Sequence, residues 1–433
     1  MGIPFAGHIS TTRALQIFQV MRLGAVVLTS ILLAKSGLDM AGIGSYEMLL
    51  YMGSTLTFFW VNGLLMGMPA VYASLGDADR KAFIFNNFLV FCAISAGLFL
   101  LLSLGESVVT PLLTGQSAVP HFGLFCLYLL FNLPSFPVEY YYLLKEKPLH
   151  IIGWGAITFG LHVVALYVPV ITGFGLKGGF TALAILSVLK FLWAAGLAVR
   201  FGKIRLRTDL IRQYLVFSAP LTLNVLVGNF VILFDAWLVG WYFRDEVTFA
   251  IFRYGSREFP LATALATALG TAMIPLLTTD LKAGLAELKQ RSGRLMHLLF
   301  PLTIVLLFLT GPLFPLVFNP DFAASAAVFN VYLLITASRV LLPNAIVLAQ
   351  GVPKVIFWVG MVELFVKIAL GFLFVHWWGL QGIAWSAVLA FWIEKIGLMW
   401  YLETKCGIRT GDWLDGRWYL AYVAALMAAF MIS

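Results

Sequence analysis

The sequence predicts an all-α, polytopic membrane protein, with twelve or thirteen transmembrane helices in two parallel six-helix bundles around a central cleft. Three observations carry that prediction: too few charges for a water-facing surface, apolar runs of bilayer length, and a self-match at one offset. Of the 433 residues, 61% are apolar and only 11% charged, whereas soluble domains carry about 25% charged residues. Mean hydropathy is +0.95. Apolar runs recur from Leu15 nearly to the end, which leaves no room for a soluble domain. No short leader is followed by a polar region, so the first run reads as a retained helix.

A helix that crosses a bilayer needs roughly 20 largely apolar residues. Runs bounded by charge, Gly and Pro fall near 13–36, 44–73, 82–104, 120–144, 150–172 and 177–200. A second set lies near 211–243, 247–277, 294–317, 325–349, 353–375 and 379–402. The stretch from Trp418 to Ile432 is short for a full crossing and accounts for the thirteenth. Basic residues then sort by side. Loops after even-numbered spans hold seventeen Lys and Arg, and loops after odd-numbered spans hold three (Lys35, Lys177 and Arg244). This bias places the even loops and the N-terminus in the cytoplasm. It also explains the net charge of +8 without nucleic acid, for which no basic, aromatic-interleaved domain exists.

The self-match has an offset of 204 residues. Tyr128-Leu129-Leu130 pairs with Tyr332-Leu333-Leu334, Trp154 with Trp358, and Gly175-Leu176-Lys177-Gly178 with Gly379-Leu380-Gln381-Gly382. Pro148 pairs with Pro353 after one slip, and Lys190 falls on Glu394. Six spans separate the halves, so both cross in the same sense, and the repeat is parallel. The expected organisation is a lobe over residues 1–205, a second over 206–405, and a loop with a short apolar segment over 406–433.

Charges at membrane depth cost roughly 2.5–3.5 kcal/mol each on insertion scales and are functional candidates by default. Glu363 and Lys367 are four apart and can pair on one helix face; Glu47 and Lys395 lie near enough to an interface to snorkel. Arg253 and Arg257 are also four apart but carry like charge, and Pro260 follows within a turn. Arg22 and Arg339 have no acid at helical spacing. Together with Lys190 these arginines suggest a cationic cleft, and guanidinium suits bidentate contact with phosphate oxygens. Salt bridges to Asp235, Glu139 or Glu258 are the alternative, and those three acids are also the candidates for ion coupling or gating. The three cysteines are spaced for neither a disulfide framework nor a metal site, and the six His are scattered. No metal and no catalytic residue is expected.

The two six-span halves, the Gly-Leu-x-Gly entry to spans 6 and 12, and the segment from Ala219-Pro220 through Asp235 to Tyr254 and Pro275 resemble a known family. It is the polysaccharide exporters of the multidrug/oligosaccharidyl-lipid/polysaccharide superfamily, which includes the Wzx-type O-antigen flippases. The resemblance covers the chain to about residue 405. It implies a V-shaped, MATE-like flippase that moves an undecaprenyl-pyrophosphate-linked oligosaccharide across the bacterial inner membrane. In the related lipid II flippases, arginines of spans 1 and 8 face the cavity; Arg22 and Arg253 are the positions that correspond, with Arg257 one turn on. The single short segment after span 12 departs from the lipid II members, which have two further spans there.

Two alternatives belong beside this reading. A cation-coupled multidrug exporter of the same fold would use H+ or Na+ on Asp235 or Glu139, although Arg22 and the Arg253/Arg257 pair argue against a cationic drug. A polytopic glycosyltransferase or polymerase would need a sizeable external loop with acidic or His catalysts, and the external loops are short. No cofactor is expected beyond a coupling ion, since no Gly-rich phosphate-binding loop appears. The expected partners are the lipid-linked substrate, membrane lipids, and the glycan polymerase and glycosyltransferases of the same pathway, with the chain itself a monomer.

Overall fold

The structure is a computed structural model that describes residues 9–433, with the side chain of Val227 left aside. The described residues form helices joined by short turns and loops, with no strand. The N-terminal half holds α1 (Thr11–Ala34), α2 (Met40–Ser74), α3 (Asp77–Thr114), α4 (Phe122–Asn132), α5 (Val138–Leu144), α6 (Pro148–Pro169) and α7 (Gly175–Phe201). The C-terminal half begins with α8 (Thr208–Phe243), α9 (Glu246–Gly255), α10 (Pro260–Thr279) and α11 (Leu281–Val317). It continues with α12 (Ala323–Leu333), α13 (Thr336–Arg339), α14 (Pro343–Ala349), α15 (Pro353–Lys405), α16 (Thr410–Trp413) and α17 (Gly416–Ile432).

Among the described residues, nine helical stretches are long and apolar enough to cross a bilayer, and Thr208–Phe243 makes a tenth. Two of the nine, Pro148–Phe201 and Pro353–Lys405, run 54 and 53 residues. At 1.5 Å per residue each is about 80 Å long, far more than a bilayer core of about 30 Å. Each breaks in the middle, so each counts as two spans, and the total is the expected twelve. The 17-residue α17 follows as a short apolar helix. The chain is thus a multi-pass membrane protein.

The repeat is visible in the backbone. Gly175 has φ +59° and its counterpart Gly379 has φ +56°, values that side chains with a Cβ rarely tolerate. These are the breaks that divide the long helices. Pro148 and Pro353 both open a helix at its first turn, where a missing N–H costs nothing. Spans 4 and 10 are both fragmented: α4, a 3-10 turn and α5 in one half, α12, α13 and α14 in the other.

One expected span does not run as a continuous helix. The 247–277 stretch ends as α9 at Gly255 and restarts as α10 at Pro260. Proline disfavours helical geometry in the residue before it, and Phe259 is extended (φ −64°, ψ 106°). Arg253 and Arg257 therefore do not share a helix face.

By packing, the chain forms two compact units, one of Met1–Leu233 with Gly240–Val247 and one of Phe234–Val239 with Thr248–Ser433. In the first unit, Gly63 and Gly67 of α2 face Thr222 and Ser218 of α8 so closely that a Cβ would collide. Small residues allow this backbone approach in membranes, and Tyr214 donates to the Leu64 carbonyl across it at 2.8 Å. The linker before α8 is held to the same unit. Buried Asn86 donates to the Arg205 carbonyl (2.8 Å) and accepts from the Arg207 N–H (3.0 Å), and Arg207 pairs with Asp79 at 2.9 Å. In the second unit α11 packs against α10, α12 and α17, and the Tyr419 hydroxyl donates to the Ala337 carbonyl at 2.8 Å.

Candidate functional site

In the N-terminal unit three of the sequence candidates converge. Glu139, on α5, is buried and feels the charges of Arg22 on α1 and Lys190 on α7. The Lys190 ammonium donates to Asn132 Oδ1 on α4 at 2.5 Å. His162 on α6 lies within reach of the Lys190 charge and sets its ring 6.4 Å from that of Tyr128. Tyr140 feels both Glu139 and Arg22. The result is one carboxylate against two cations, walled by aromatic and amide groups. Arg22 itself is exposed on the unit's surface, so its donors are available to a ligand.

The C-terminal unit spends its charges differently. Asp235 on α8 is 6% exposed in its side chain and pairs with Lys367 on α15 at 3.0 Å, the Lys367 side chain being 3% exposed. The Tyr332 hydroxyl donates to the same Asp235 oxygen at 2.7 Å. Lys367 thus reaches across to α8, beyond its own-helix neighbour Glu363. Asp235 already holds a cation, supplied by the chain.

Arg339, on α13, makes a bidentate pair with Glu258 at 2.7 and 2.8 Å, with Nε adding a third bond at 3.1 Å. Thr263 donates to the same carboxylate at 3.1 Å, and the guanidinium lies 4.4 Å over the Phe391 ring. Lys395 is buried and does not snorkel: it pairs with Glu394 at 2.9 Å and donates to Asn344 Oδ1 at 2.9 Å. Asn344 in turn donates to Glu394 at 2.9 Å. Glu47 is buried as well, at 2% exposure, and so does not snorkel either. Arg257 lies beyond the end of α9 and stacks on Tyr254 at 5.2 Å, which is itself stacked on Phe322 at 4.1 Å. Arg253 sits in the last turn of α9, within electrostatic reach of Tyr332.

Among the described residues, two cavities of this unit stand out. One, about 220 Å3, is bounded by α10, the α13–α14 region and Lys395. The other, about 390 Å3, is almost wholly apolar and runs between α15 and α17, with Trp385, Trp392 and Leu426 on its walls. Among the described residues no group of His, Cys, Asp and Glu could hold a metal ion.

Asn132, Asn344 and Tyr332, the polar partners that join these charges, are not among the candidates named from the sequence. Amides inside otherwise apolar runs were the available signal, since an unpaired one in a bilayer is costly. Their partners lie tens of residues away, where helical spacing says nothing.

No family model matches the chain, and no curated protein matches it. Solved structures do. The lipid II flippase MurJ in an inward closed conformation superposes with a TM-score of 0.69 at 16% identity, over 96% of this chain and 97% of that one. An inward-facing multidrug resistance MATE family transporter superposes at 0.58 and 14% identity, over 97% and 99%. The MATE multidrug transporter DinF-BH gives 0.54 at 15% identity, over 91% and 94%. Nearly the full length of each pair aligns. This chain has the fold of the lipid II flippase and the MATE multidrug transporters.

Proposed function

We propose that this protein is a flippase for a lipid with an anionic, glycan-bearing headgroup, of the undecaprenyl-pyrophosphate-linked oligosaccharide class. The observation that carries the reading is the Arg22–Lys190–Glu139 cluster of the N-terminal unit, in which cations outnumber acids at membrane depth. Such an excess is costly unless an anion visits it, and pyrophosphate matches the donors of guanidinium and ammonium. Arg253 and Arg257 add positive charge in the C-terminal unit. The fold shared with the lipid II flippase supports the same reading. The substrate would move by alternating access, with the N-terminus cytoplasmic as the loop charges suggest, in the bacterial inner membrane. Glycosyltransferases and a glycan polymerase would act before and after it.

A cation-coupled multidrug exporter is the second reading. The likeness to MATE transporters and the buried Glu139 favour it, with Glu139 then carrying the coupling ion. The test is transport in reconstituted vesicles of a fluorescent undecaprenyl-pyrophosphate glycan against a cationic dye. Wild-type protein is expected to move the lipid, and Arg22→Ala to lose that activity by at least about tenfold, the scale of one charge-assisted contact. Dye transport that is retained in Arg22→Ala and lost in Glu139→Gln would establish the exporter instead.

A further inference from the structure

The 220 Å3 cavity of the C-terminal unit is polar on one wall and small-residue on the other, and its charges are already spoken for. Thr267, Gly270 and Thr271 of α10 form one side; Arg339, Asn344 and Lys395 form the other. The guanidinium is neutralised by Glu258 and the ammonium by Glu394, so the wall is formally neutral. Glu363 lies within electrostatic reach of Arg339, Lys395 and Glu394 and adds negative charge nearby. A phosphate entering here would meet no uncompensated cation.

Donors nevertheless remain. All three bonds of Arg339 to Glu258 use Nε and Nη2, which leaves the Nη1 hydrogens for a ligand. Lys395 spends two of its three N–H groups, on Glu394 and Asn344. Thr267 and Thr271 are exposed, one turn apart on the same face of α10, each with a hydroxyl that donates and accepts. At Gly270, between them, a Cβ would meet only Leu342 at 3.7 Å and Ala345 at 4.0 Å, so open space lies over the helix backbone. The volume falls short of the roughly 300–1,000 Å3 of sites that hold a whole small ligand. It suits one ring of a larger molecule.

We infer that this cavity is a saccharide subsite, binding one uncharged sugar ring of the substrate through its hydroxyl or acetamido oxygens while the pyrophosphate is held elsewhere. This rests on the flippase reading of the previous subsection. Within the C-terminal unit, Arg339, balanced by Glu258, then serves the glycan.

The test compares three probes on purified full-length protein in nanodiscs: undecaprenyl pyrophosphate, and the same lipid carrying one N-acetylglucosamine or one galactose. Wild-type protein is expected to bind at least one sugar-bearing lipid about tenfold more tightly than the bare one, the yield of one or two neutral hydrogen bonds. Gly270→Leu, which fills the cavity with a better helix former, should abolish that difference and leave the bare lipid within about twofold. The Thr267→Val/Thr271→Val variant keeps the shape, removes both hydroxyls, and should do the same. Equal wild-type affinity for all three lipids would overturn the saccharide subsite and leave the flippase reading standing. Binding of none of them would overturn both. Loss of the bare lipid in the valine variant would assign the cavity to the pyrophosphate and overturn the inference.

Discussion

The sixth span of each half makes the same reach with opposite charge. In the N-terminal half Lys190 extends from α7 to Asn132 at the end of α4. In the C-terminal half its repeat position, Glu394, extends from α15 to Asn344 at the start of α14. The backbones that present them break at Gly175 and Gly379 with nearly the same φ. Yet one cation is left in excess beside Glu139, and the other half closes its charges into the pairs Glu394–Lys395, Glu258–Arg339 and Asp235–Lys367. The two halves repeat one scaffold with different charge, one copy holding a cation in excess and the other largely self-satisfied.

That contrast can be broken most directly at the buried acids. Asp235→Ala removes the 3.0 Å counter-ion of the Lys367 ammonium and should cost about 3–5 kcal/mol of stability, measured by thermal unfolding in detergent. Glu139→Ala leaves Lys190 its amide partner and Arg22 its exposure, and should cost about 1 kcal/mol or less. Equal losses would end the distinction between an open and a closed half. The Asp235→Asn/Lys367→Met double variant should recover most of the first loss, because the ammonium is removed together with its counter-ion.

The backbone likeness is tested next. Gly175→Ala and Gly379→Ala should each cost about 1–3 kcal/mol through strain at positive φ, read from the same melting curves. Neutrality at either glycine would show that the two breaks are not equivalent. The smallest effect is expected at Phe391, whose ring carries the paired Arg339. Phe391→Leu should cost about 0.5–1 kcal/mol, and a silent substitution would make the stacking incidental.

Much of the fold was legible because each span is a local signal. From Leu15 onward the apolar runs set the count, and Gly175-Leu176-Lys177-Gly178 against Gly379-Leu380-Gln381-Gly382 marked where the long helices break. The pairing of charges was not legible for the converse reason. Helical spacing offered Glu363 to Lys367, and the two do interact, but the contact at 3.0 Å goes to Asp235 on α8. Arg339 and Glu258 are 81 residues apart, beyond any pattern read along one helix. Arg253 and Arg257 misled in the opposite sense: their spacing was helical, but the break before Pro260 ended the helix between them.

The Asp235–Lys367 pair also sets an order on biosynthesis. Asp235 enters the membrane with the seventh span, and Lys367 follows roughly 130 residues later, about 7–26 seconds at 5–20 residues per second. Until then the Asp235 carboxyl lacks its ammonium partner, and its burial carries an insertion cost of roughly 3 kcal/mol. A chain halted before the eleventh span would lack that partner altogether.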